Sequence, residues 1–328
     1  MLSFAKSKYL SSGETPSLLI TSAGYTCNQC VAGQTGLVKM QGFATNTGYL
    51  DLTGNSYTRF VAQDVTDNSG GTIIFRNNSL TEVDMRAMTT GGGDFWGNPI
   101  TSANFDSLVS TDNQQLYIAH NTAMTTPPAF PALVTMNRAI VFSQNYNMTG
   151  NPSFPLLQFM YHEVEFDYTK ITALSFPSLK VIRHNGALPA GIVAGGDLSD
   201  VGGTGKAPLA SLSTPLLEEL SGIISLNTTS TTAGFTTWTY DTSKWLTLGN
   251  HFNITMSRNM LDQTFIDNLL VHLANIASGP YTETGTGSDY TFNQIDLRFQ
   301  TTGAKPSATG LAAKATLEAL NITVLVDP

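Results

Sequence analysis

Three acidic residues alternate along one short stretch of the sequence, Tyr161-His-Glu-Val-Glu-Phe-Asp167. In an extended strand, Glu163, Glu165 and Asp167 lie on one face because successive side chains point to opposite sides. Same-face neighbours are roughly 7 Å apart, which suits either a Ca²⁺ site or the acid/base pair of a glycosidase. A water-facing row of carboxylates gives the same pattern, and the sequence favours it. The three residues are candidate binding residues on either interpretation.

Aromatic residues in loop-like stretches form a second set of candidates. Trp96 follows the glycines of Gly91-Gly-Gly-Asp-Phe-Trp96, and Trp238 and Tyr240 lie in Phe235-Thr-Thr-Trp-Thr-Tyr240. Exposed aromatic rings on loops can stack against sugar rings. The alternative, which the sequence favours, is that these rings fold back and anchor the loops. Trp96, Trp238 and Tyr240 are therefore candidate binding residues with a structural alternative.

The cysteines and histidines do not form a metal-binding pattern. Cys27 and Cys30 lie in Thr-Cys-Asn-Gln-Cys, with no second Cys pair and no His pair at zinc spacing. Two structural thiols are favoured, and a local disulfide or a reactive pair stays open. The five histidines are scattered: His120, His162, His184, His251 and His272. His120, His162 and His184 could align on successive coils. We predict no metal and no cofactor.

Motifs for nucleotide or acyl chemistry are absent from the sequence. The stretch Gly202-Gly-Thr-Gly-Lys206 is not a phosphate loop, because Asp200 stands where the first glycine belongs and Ala207 replaces Ser/Thr. No G-x-S-x-G occurs. The net charge is -8, only 12% of residues are charged, and no Lys/Arg cluster occurs. Nucleic acid is therefore excluded as an expected partner, and a non-enzymatic role is favoured.

Four related phrases predict the architecture that positions these residues. Phe130-Pro-Ala-Leu-Val-Thr-Met136 is repeated with variations from Phe154, Phe176 and Thr214, with starts 24, 22 and 38 residues apart. A period in the low twenties indicates a solenoid, in which each coil buries its apolar face against its neighbours. One short strand per coil, stacked in parallel, is predicted at residues 83–85, 116–119, 140–142, 157–161, 179–182, 217–220 and 252–256.

We expect three domains in a β-rich α/β fold. Residues 1–70 show short β-like pieces without a clear repeat and are predicted to be an attachment module. Residues 71–260 are the predicted solenoid. Residues 261–328 are predicted to form a cap of helix, strand, helix and strand, with Asp262 capping the first helix. A cap of this kind would cover the last coil.

The repeats resemble the irregular leucine-rich-repeat-like solenoids of bacterial surface proteins, over roughly residues 71–260. The asparagine found at the strand exits of such repeats has five candidates here: Asn121, Asn145, Asn185, Asn227 and Asn259. The C-terminal sequence is similar to the C-terminal module of phage-encoded structural and tail-associated proteins. The similar stretch runs from Leu261-Asp to Lys305-Pro-Ser-Ala-Thr-Gly-Leu-Ala-Ala-Lys314.

This resemblance implies a phage virion protein, a spike, fibre or tail-associated component, that binds a host-surface glycan or protein through its solenoid. The N-terminal region would join other virion proteins, and the chain would form a homo-oligomer. The low charge fits a virion, and no apolar stretch suits a secretory signal or a membrane span. The alternatives are a bacterial cell-surface adhesin of the same repeat class and a polysaccharide-degrading enzyme that uses the acidic row.

Overall fold

The computed structural model describes residues 18–28, 34–184, 190–195, 209–227, 234–281, 292–300 and 302–328. In these ranges the chain is rich in short β-strands that pair in parallel, with two α-helices near the C-terminal end. The prediction of a β-rich α/β fold is confirmed at this level. The chain divides into two compact units, Met1–Phe154 and Pro155–Pro328. The predicted domain boundaries at residues 70 and 260 stay predictions.

The strands of the first unit form two parallel sets. The first set pairs in the order β1 (Leu18–Ile20), β3 (Thr35–Met40), β5 (Ser56–Val61), β7 (Glu82–Asp84) and β9 (Ser102–Asn104). The second pairs in the order β2 (Thr26–Asn28), β4 (Tyr49–Asp51), β6 (Thr72–Ile74), β8 (Gly93–Asp94), β10 (Leu116–Tyr117) and β12 (Ile140–Val141). Isolated parallel β-bridges also link residues of the first unit one after another, in the order Thr45, Asp67, Thr90, Ser110 and Thr135. Thr135 belongs to β11 (Thr135–Met136).

Pairing partners in the first unit are separated by nearly constant distances along the sequence. Val38 pairs with Phe60, 22 positions later, and Phe60 pairs with Val83, 23 positions later. Leu50 and Ile73 in the second set are also 23 positions apart. The expectation that residues 1–70 lack a repeat is therefore wrong. The repeat is not visible in the sequence, because it consists of backbone pairing and the Phe-Pro phrase does not occur in residues 1–70.

The strands of the second unit form three parallel sets. The first contains β13 (Phe159–Met160), β16 (Val181–Arg183), β19 (Glu219–Ser221) and β22 (Thr247–Leu248). The second contains β15 (Ala173–Ser175), β18 (Ser211–Thr214) and β21 (Thr237–Tyr240). The third contains β14 (Glu163–Glu165), β17 (Gly191–Val193), β20 (Ile223–Ser225), β23 (Asn253–Thr255), β24 (Gln294–Asp296) and β25 (Thr323–Leu325).

All seven strands predicted between residues 83 and 256 overlap strands of the structure, but the expectation of one strand per coil is wrong. The strand that follows Phe154 and the strand that follows His162 belong to different sets, although both lie between Phe154 and Phe176. Both the Phe-Pro phrase and the apolar cluster after it have extended backbone. The stretch from Phe154 to Phe176 therefore contributes three short strands, β13, β14 and β15.

The C-terminal segment contains the two helices, and its elements follow the predicted order. Helix α1 (Gln263–Ile276) begins at Asp262, whose Oδ1 accepts a hydrogen bond from the Phe265 N–H at 2.7 Å. Helix α2 (Ala308–Glu318) begins at Ser307, whose hydroxyl accepts from the Thr309 N–H. These caps satisfy N–H groups that have no partner inside the helix. In the described ranges, neither helix has the length and apolar character needed to cross a membrane.

Buried asparagines connect segments of the first unit that are 23 or 24 positions apart in the sequence. The Asn98 Nδ2 group donates to the carbonyl of Phe75 at 2.7 Å, and its Oδ1 accepts from the Leu80 N–H at 3.2 Å. Asn121 and Asn145 continue the series, because the Asn98 N–H donates to Asn121 Oδ1 and the Asn121 N–H donates to Asn145 Oδ1. These three side chains are at most 2% exposed. They satisfy backbone groups that the turns leave inside the core.

The predicted strand-exit asparagines mostly have this role. Asn121 and Asn145 belong to the buried series of the first unit. In the second unit Asn259 donates to the carbonyl of Leu226 at 2.6 Å and accepts from the Phe235 N–H. Asn227 accepts from the N–H and hydroxyl of Ser257 instead, and Asn185 lies outside the described residues.

The aromatic residues of the repeated phrase stack inside the core. The rings of Phe105 and Phe130 are 5.9 Å apart, and those of Phe130 and Phe154 are 5.2 Å apart and nearly parallel, at 4°. Phe176 occupies the equivalent place in its own phrase and is fully buried. Offset stacking of this kind adds to the stabilisation from burial alone. The apolar periodicity of the phrase therefore reports core positions.

Replacing Asn98 by Ala should destabilise the fold strongly. The change removes the donor to the Phe75 and Phe95 carbonyls and the acceptor for the Leu80 N–H, and each buried unpaired group costs about 1–3 kcal/mol. We expect a loss of at least about 2 kcal/mol, seen as a lower urea midpoint. Asn147→Ala is the control, because Asn147 is exposed and donates to the Thr122 carbonyl. Equal midpoint shifts for the two variants would contradict this role.

Candidate functional site

An open cavity of about 600 Å³ lies in the second unit, between β21 and α1. Its volume is within the range of about 300–1,000 Å³ that small-ligand sites occupy. Four lining residues come from β21 and the turn after it, and five come from α1: Trp238, Thr239, Tyr240, Thr242, Phe265, Asn268, Val271, His272 and Asn275. The cavity therefore contains two of the predicted binding residues, Trp238 and Tyr240.

The cavity forms where parallel strand pairing stops. Strand β21 pairs with β18 on one side, with Trp238 opposite Leu212 and Tyr240 opposite Thr214. In the part of the chain that the structure describes, no strand pairs with its other side, and side chains of β21 and α1 line the cavity together. Paired strands are about 4.8 Å apart, whereas a helix with its side chains is about 10 Å wide. A helix cannot continue the backbone ladder, so a gap lined by side chains remains.

The helix side of the cavity follows from helical periodicity. Phe265, Asn268, His272 and Asn275 are separated by three, four and three positions, so they lie along one face of α1. The opposite face buries Ile266, among other apolar residues. The sequence predicts this helix. It does not indicate that the face with the amides of Asn268 and Asn275 and the rings of Phe265 and His272 would line one cavity with Trp238.

Four aromatic rings form a cluster at the floor of the cavity. The ring centroids of Trp238 and Tyr240 are 5.1 Å apart, and those of Trp238 and Trp245 are 5.2 Å apart. His272 completes the cluster, 5.4 Å from Tyr240 and 5.1 Å from Trp245. The Trp238 Nε1–H donates to Thr214 Oγ1 at 2.9 Å, and the Trp245 Nε1–H donates to the Thr247 carbonyl at 3.2 Å. The cluster is thus held in one geometry.

The two titratable groups of the cluster stay neutral near pH 7. Burial raises the pKa of Tyr240 to about 12, and burial lowers the pKa of His272 below its ordinary value. His272 is 7% exposed, and its Nε2 atom has no hydrogen-bond partner among the described residues. The lining therefore offers rings, amides and hydroxyls but no formal charge. Such an arrangement can bind a ligand.

His272 is one of the site residues that the sequence analysis does not predict. It was grouped with the other scattered histidines, although Leu269 and Leu273 beside it mark the buried part of α1. A histidine three positions after one buried leucine and next to another points inward on a helix. That signal predicts burial, but it does not identify the rings that His272 contacts.

Trp96 lies in the first unit and belongs to a different set of rings. It stacks on His120 at 5.0 Å and 16°, and His120 contacts Tyr146 edge to face at 6.1 Å. Trp96 also packs against a small buried cluster that contains Ala119 and Val141. These contacts agree with the loop-anchor alternative, and a binding role for Trp96 stays a prediction.

The acidic row has the predicted alternation. Glu163, Glu165 and Asp167 are partly exposed, whereas Val164 and Phe166 between them are buried. Burial and the nearby charge of Glu165 together raise the pKa of Asp167 to about 7. One carboxyl of the row therefore holds a proton at a pH where most carboxyls have lost theirs. No group of three or more His, Cys, Asp or Glu side chains within the described ranges is arranged to hold a metal ion.

The remaining candidate residues are histidines and cysteines that do not line the cavity. His184 and His251 stack at 5.1 Å in the second unit, and Phe292 contacts both rings edge to face. The predicted alignment of His120, His162 and His184 is not among these contacts. Cys27 lies in β2, and Cys30 is outside the described residues. Whether the two cysteines pair stays open.

A comparison of the chain with protein-family models, with curated proteins and with solved structures gives no match. Proposals about function therefore rest on the chain itself: its parallel strand pairing, the cavity between β21 and α1, and the acidic row that begins on β14.

Replacing Asp167 by Asn should stabilise the protein in a pH-dependent way. The pKa of Asp167 is about 7 in the fold against an ordinary 3.8, so its stabilising proton is lost from the folded state as pH rises through 7. Between pH 4 and 7 the stability of the wild type therefore falls relative to Asp167→Asn, by at most about 1.4 kcal/mol per pH unit. Above pH 7 the difference stays constant.

Urea unfolding at pH 4.5, 6 and 7.5 measures this difference. Asp106→Asn is the matched control, because the Asp106 side chain is exposed, and it should show no comparable growth with pH. An Asp167→Asn difference that is the same at all three pH values would show that this carboxyl does not hold its proton in the fold.

Proposed function

We propose that the chain is a non-enzymatic structural protein of a phage particle, a spike, fibre or tail-associated component. It would bind a host surface through a leucine-rich-repeat-like solenoid. The observation that carries the proposal is the parallel pairing of strands 20 to 24 positions apart in the first unit, as between Leu18 and Val38 or Leu116 and Ile140. Stacked coils of one length would give this register.

The chemistry of the scaffold supports a binding role. Only 12% of the residues are charged, so much of the polar surface consists of hydroxyl and amide groups. The buried asparagine series, exemplified by Asn98 and Asn121, ties each turn to the next. A scaffold that is already ordered loses little conformational entropy when it binds a partner. Rigidity and uncharged polarity together suit the recognition of a cell surface.

The ends of the strand sets support assembly with other chains. Among the described residues, β1 pairs only with β3, so one edge of β1 has no strand beside it. A parallel edge that no strand of its own chain occupies can accept a strand from another chain. We propose that this N-terminal edge contacts other virion proteins or a second copy of the chain. The resemblance of residues 261–328 to a phage module supports the proposal that the particle is a phage.

A bacterial cell-surface adhesin is the alternative with the same scaffold. It would use the same repeats and the same cavity, and it would differ in where the protein is found. The location therefore separates these two hypotheses, whereas binding assays alone do not.

A polysaccharide-degrading enzyme is a second candidate, and one observation favours it. Asp167 has a raised pKa beside Glu165, and a protonated carboxyl next to an ionised one is what a glycosidase uses. The change Glu163→Gln with Glu165→Gln should abolish cleavage of host polysaccharide by such an enzyme. If the wild type releases no reducing ends from host polysaccharide, this candidate is excluded.

Immunogold labelling of intact particles tests the proposal. Antibodies against the purified chain should decorate particles in negative stain at a fixed position, and the free chain should compete with particles for adsorption to host cells. Labelling of bacterial cells that carry no phage would support the adhesin instead. Intact particles without label would contradict the proposal.

A further inference from the structure

We infer that the cavity between β21 and α1 is a binding site for an uncharged saccharide. The inference rests on the proposed host-surface function and supplies the ligand class for it. It combines three properties of the lining, which are the absence of formal charge, the fixed aromatic surface and the amide groups on α1.

The charge of the lining selects a neutral ligand. None of the nine lining residues is Asp, Glu, Lys or Arg, and burial keeps His272 unprotonated by lowering its pKa. The adjacent Asp241 is exposed and accepts hydrogen bonds from the N–H and hydroxyl of Ser243. An anionic sugar would therefore lose hydration without gaining a cationic partner in the cavity. A neutral sugar loses much less.

The aromatic surface suits the apolar face of a sugar ring. Tyr240 lines the cavity and is only partly buried. Its ring is supported by Trp238 at 5.1 Å, Trp245 at 5.4 Å and His272 at 5.4 Å. Phe265 lines the helix side and is also partly exposed. A ring held in place by three others offers apolar area without an entropic cost of ordering.

The polar groups of the lining match sugar hydroxyls. Asn268 and Asn275 are exposed on α1, and their carboxamides both donate and accept hydrogen bonds. They are seven positions apart, which is roughly 10 Å along a helix axis. Thr239 and Thr242 contribute hydroxyls from the strand side. The spacing of the two amides is longer than one pyranose ring, so a ligand of two linked rings is favoured over a monosaccharide.

The tryptophan fluorescence of the full chain provides the test. The chain has three tryptophans, and two of them, Trp238 and Trp245, belong to the ring cluster beside the cavity. The probes are maltose, cellobiose, lactose and N,N′-diacetylchitobiose as neutral disaccharides, with cellobiouronic acid as the charged counterpart of cellobiose. We expect a saturable signal with at least one neutral disaccharide, and at least tenfold weaker binding of cellobiouronic acid than of cellobiose.

Variants locate the binding. Tyr240→Ala and Asn268→Ala should each weaken the binding of the neutral probe at least tenfold. Tyr49→Ala, which removes an exposed ring in the first unit, should leave it unchanged. Asn268 is exposed on α1, so its replacement by Ala tests the site even if Tyr240→Ala perturbs the ring cluster. Unchanged urea midpoints identify the variants that are folded.

Three results would overturn the inference. They are no saturable signal with any neutral probe, equal binding of cellobiose and cellobiouronic acid, and full binding in the folded Asn268→Ala variant. Adsorption to host cells separates this failure from failure of the proposed function. If the wild type and Asn268→Ala adsorb equally, the host-surface function holds and the cavity is not its site. If the wild-type chain does not adsorb to host cells and antibodies against it do not label particles, the proposed function itself is wrong.

Discussion

The hydrogen bonds between segments of the chain about 23 positions apart are the interaction on which the structure depends. A short parallel strand satisfies its backbone groups only through the strands on either side of it, and the loops between strands leave further N–H and C=O groups inside the core. Buried asparagines satisfy those groups: the Asn98 side chain donates to the Phe75 carbonyl and accepts from the Leu80 N–H. A side chain that cannot donate and accept at once would leave a buried group unpaired. Stacked phenylalanines, including Phe130 and Phe154, fill the space between these polar contacts.

The candidate site follows from the place where this pairing ends. Among the described residues, strand β21 pairs only with β18, and α1 shares the cavity with it; a helix offers no backbone groups to a strand edge. The space between them is closed only in part, by the rings of Trp238, Tyr240, Trp245 and His272. The same geometric mismatch that stops the ladder thus creates a cavity with fixed walls. Site and scaffold are consequences of one arrangement.

The sequence predicted those parts of the fold that depend on local apolar pattern. The Phe-Pro phrases identified buried phenylalanines, and Asp262 identified the start of α1. The repeat in residues 18–70 was not predicted, because it consists of backbone pairing and few side chains follow its period. Trp238 and Tyr240 were named as candidates, but the opposing face of α1 was not. Which face of a helix meets a strand edge depends on tertiary packing, and neither periodicity nor composition contains that information. His272 was missed for the same reason.

Hydrogen exchange of the full chain, with and without saturating neutral disaccharide, tests the central claim most directly. That claim is that the end of the parallel ladder is a ligand site. The account predicts slower exchange in Thr237–Tyr240 and Gln263–Ile276, with no change in the first unit. Slower exchange around the acidic row Glu163–Glu165, with none at the cavity, would contradict it and would move the site to the carboxylates.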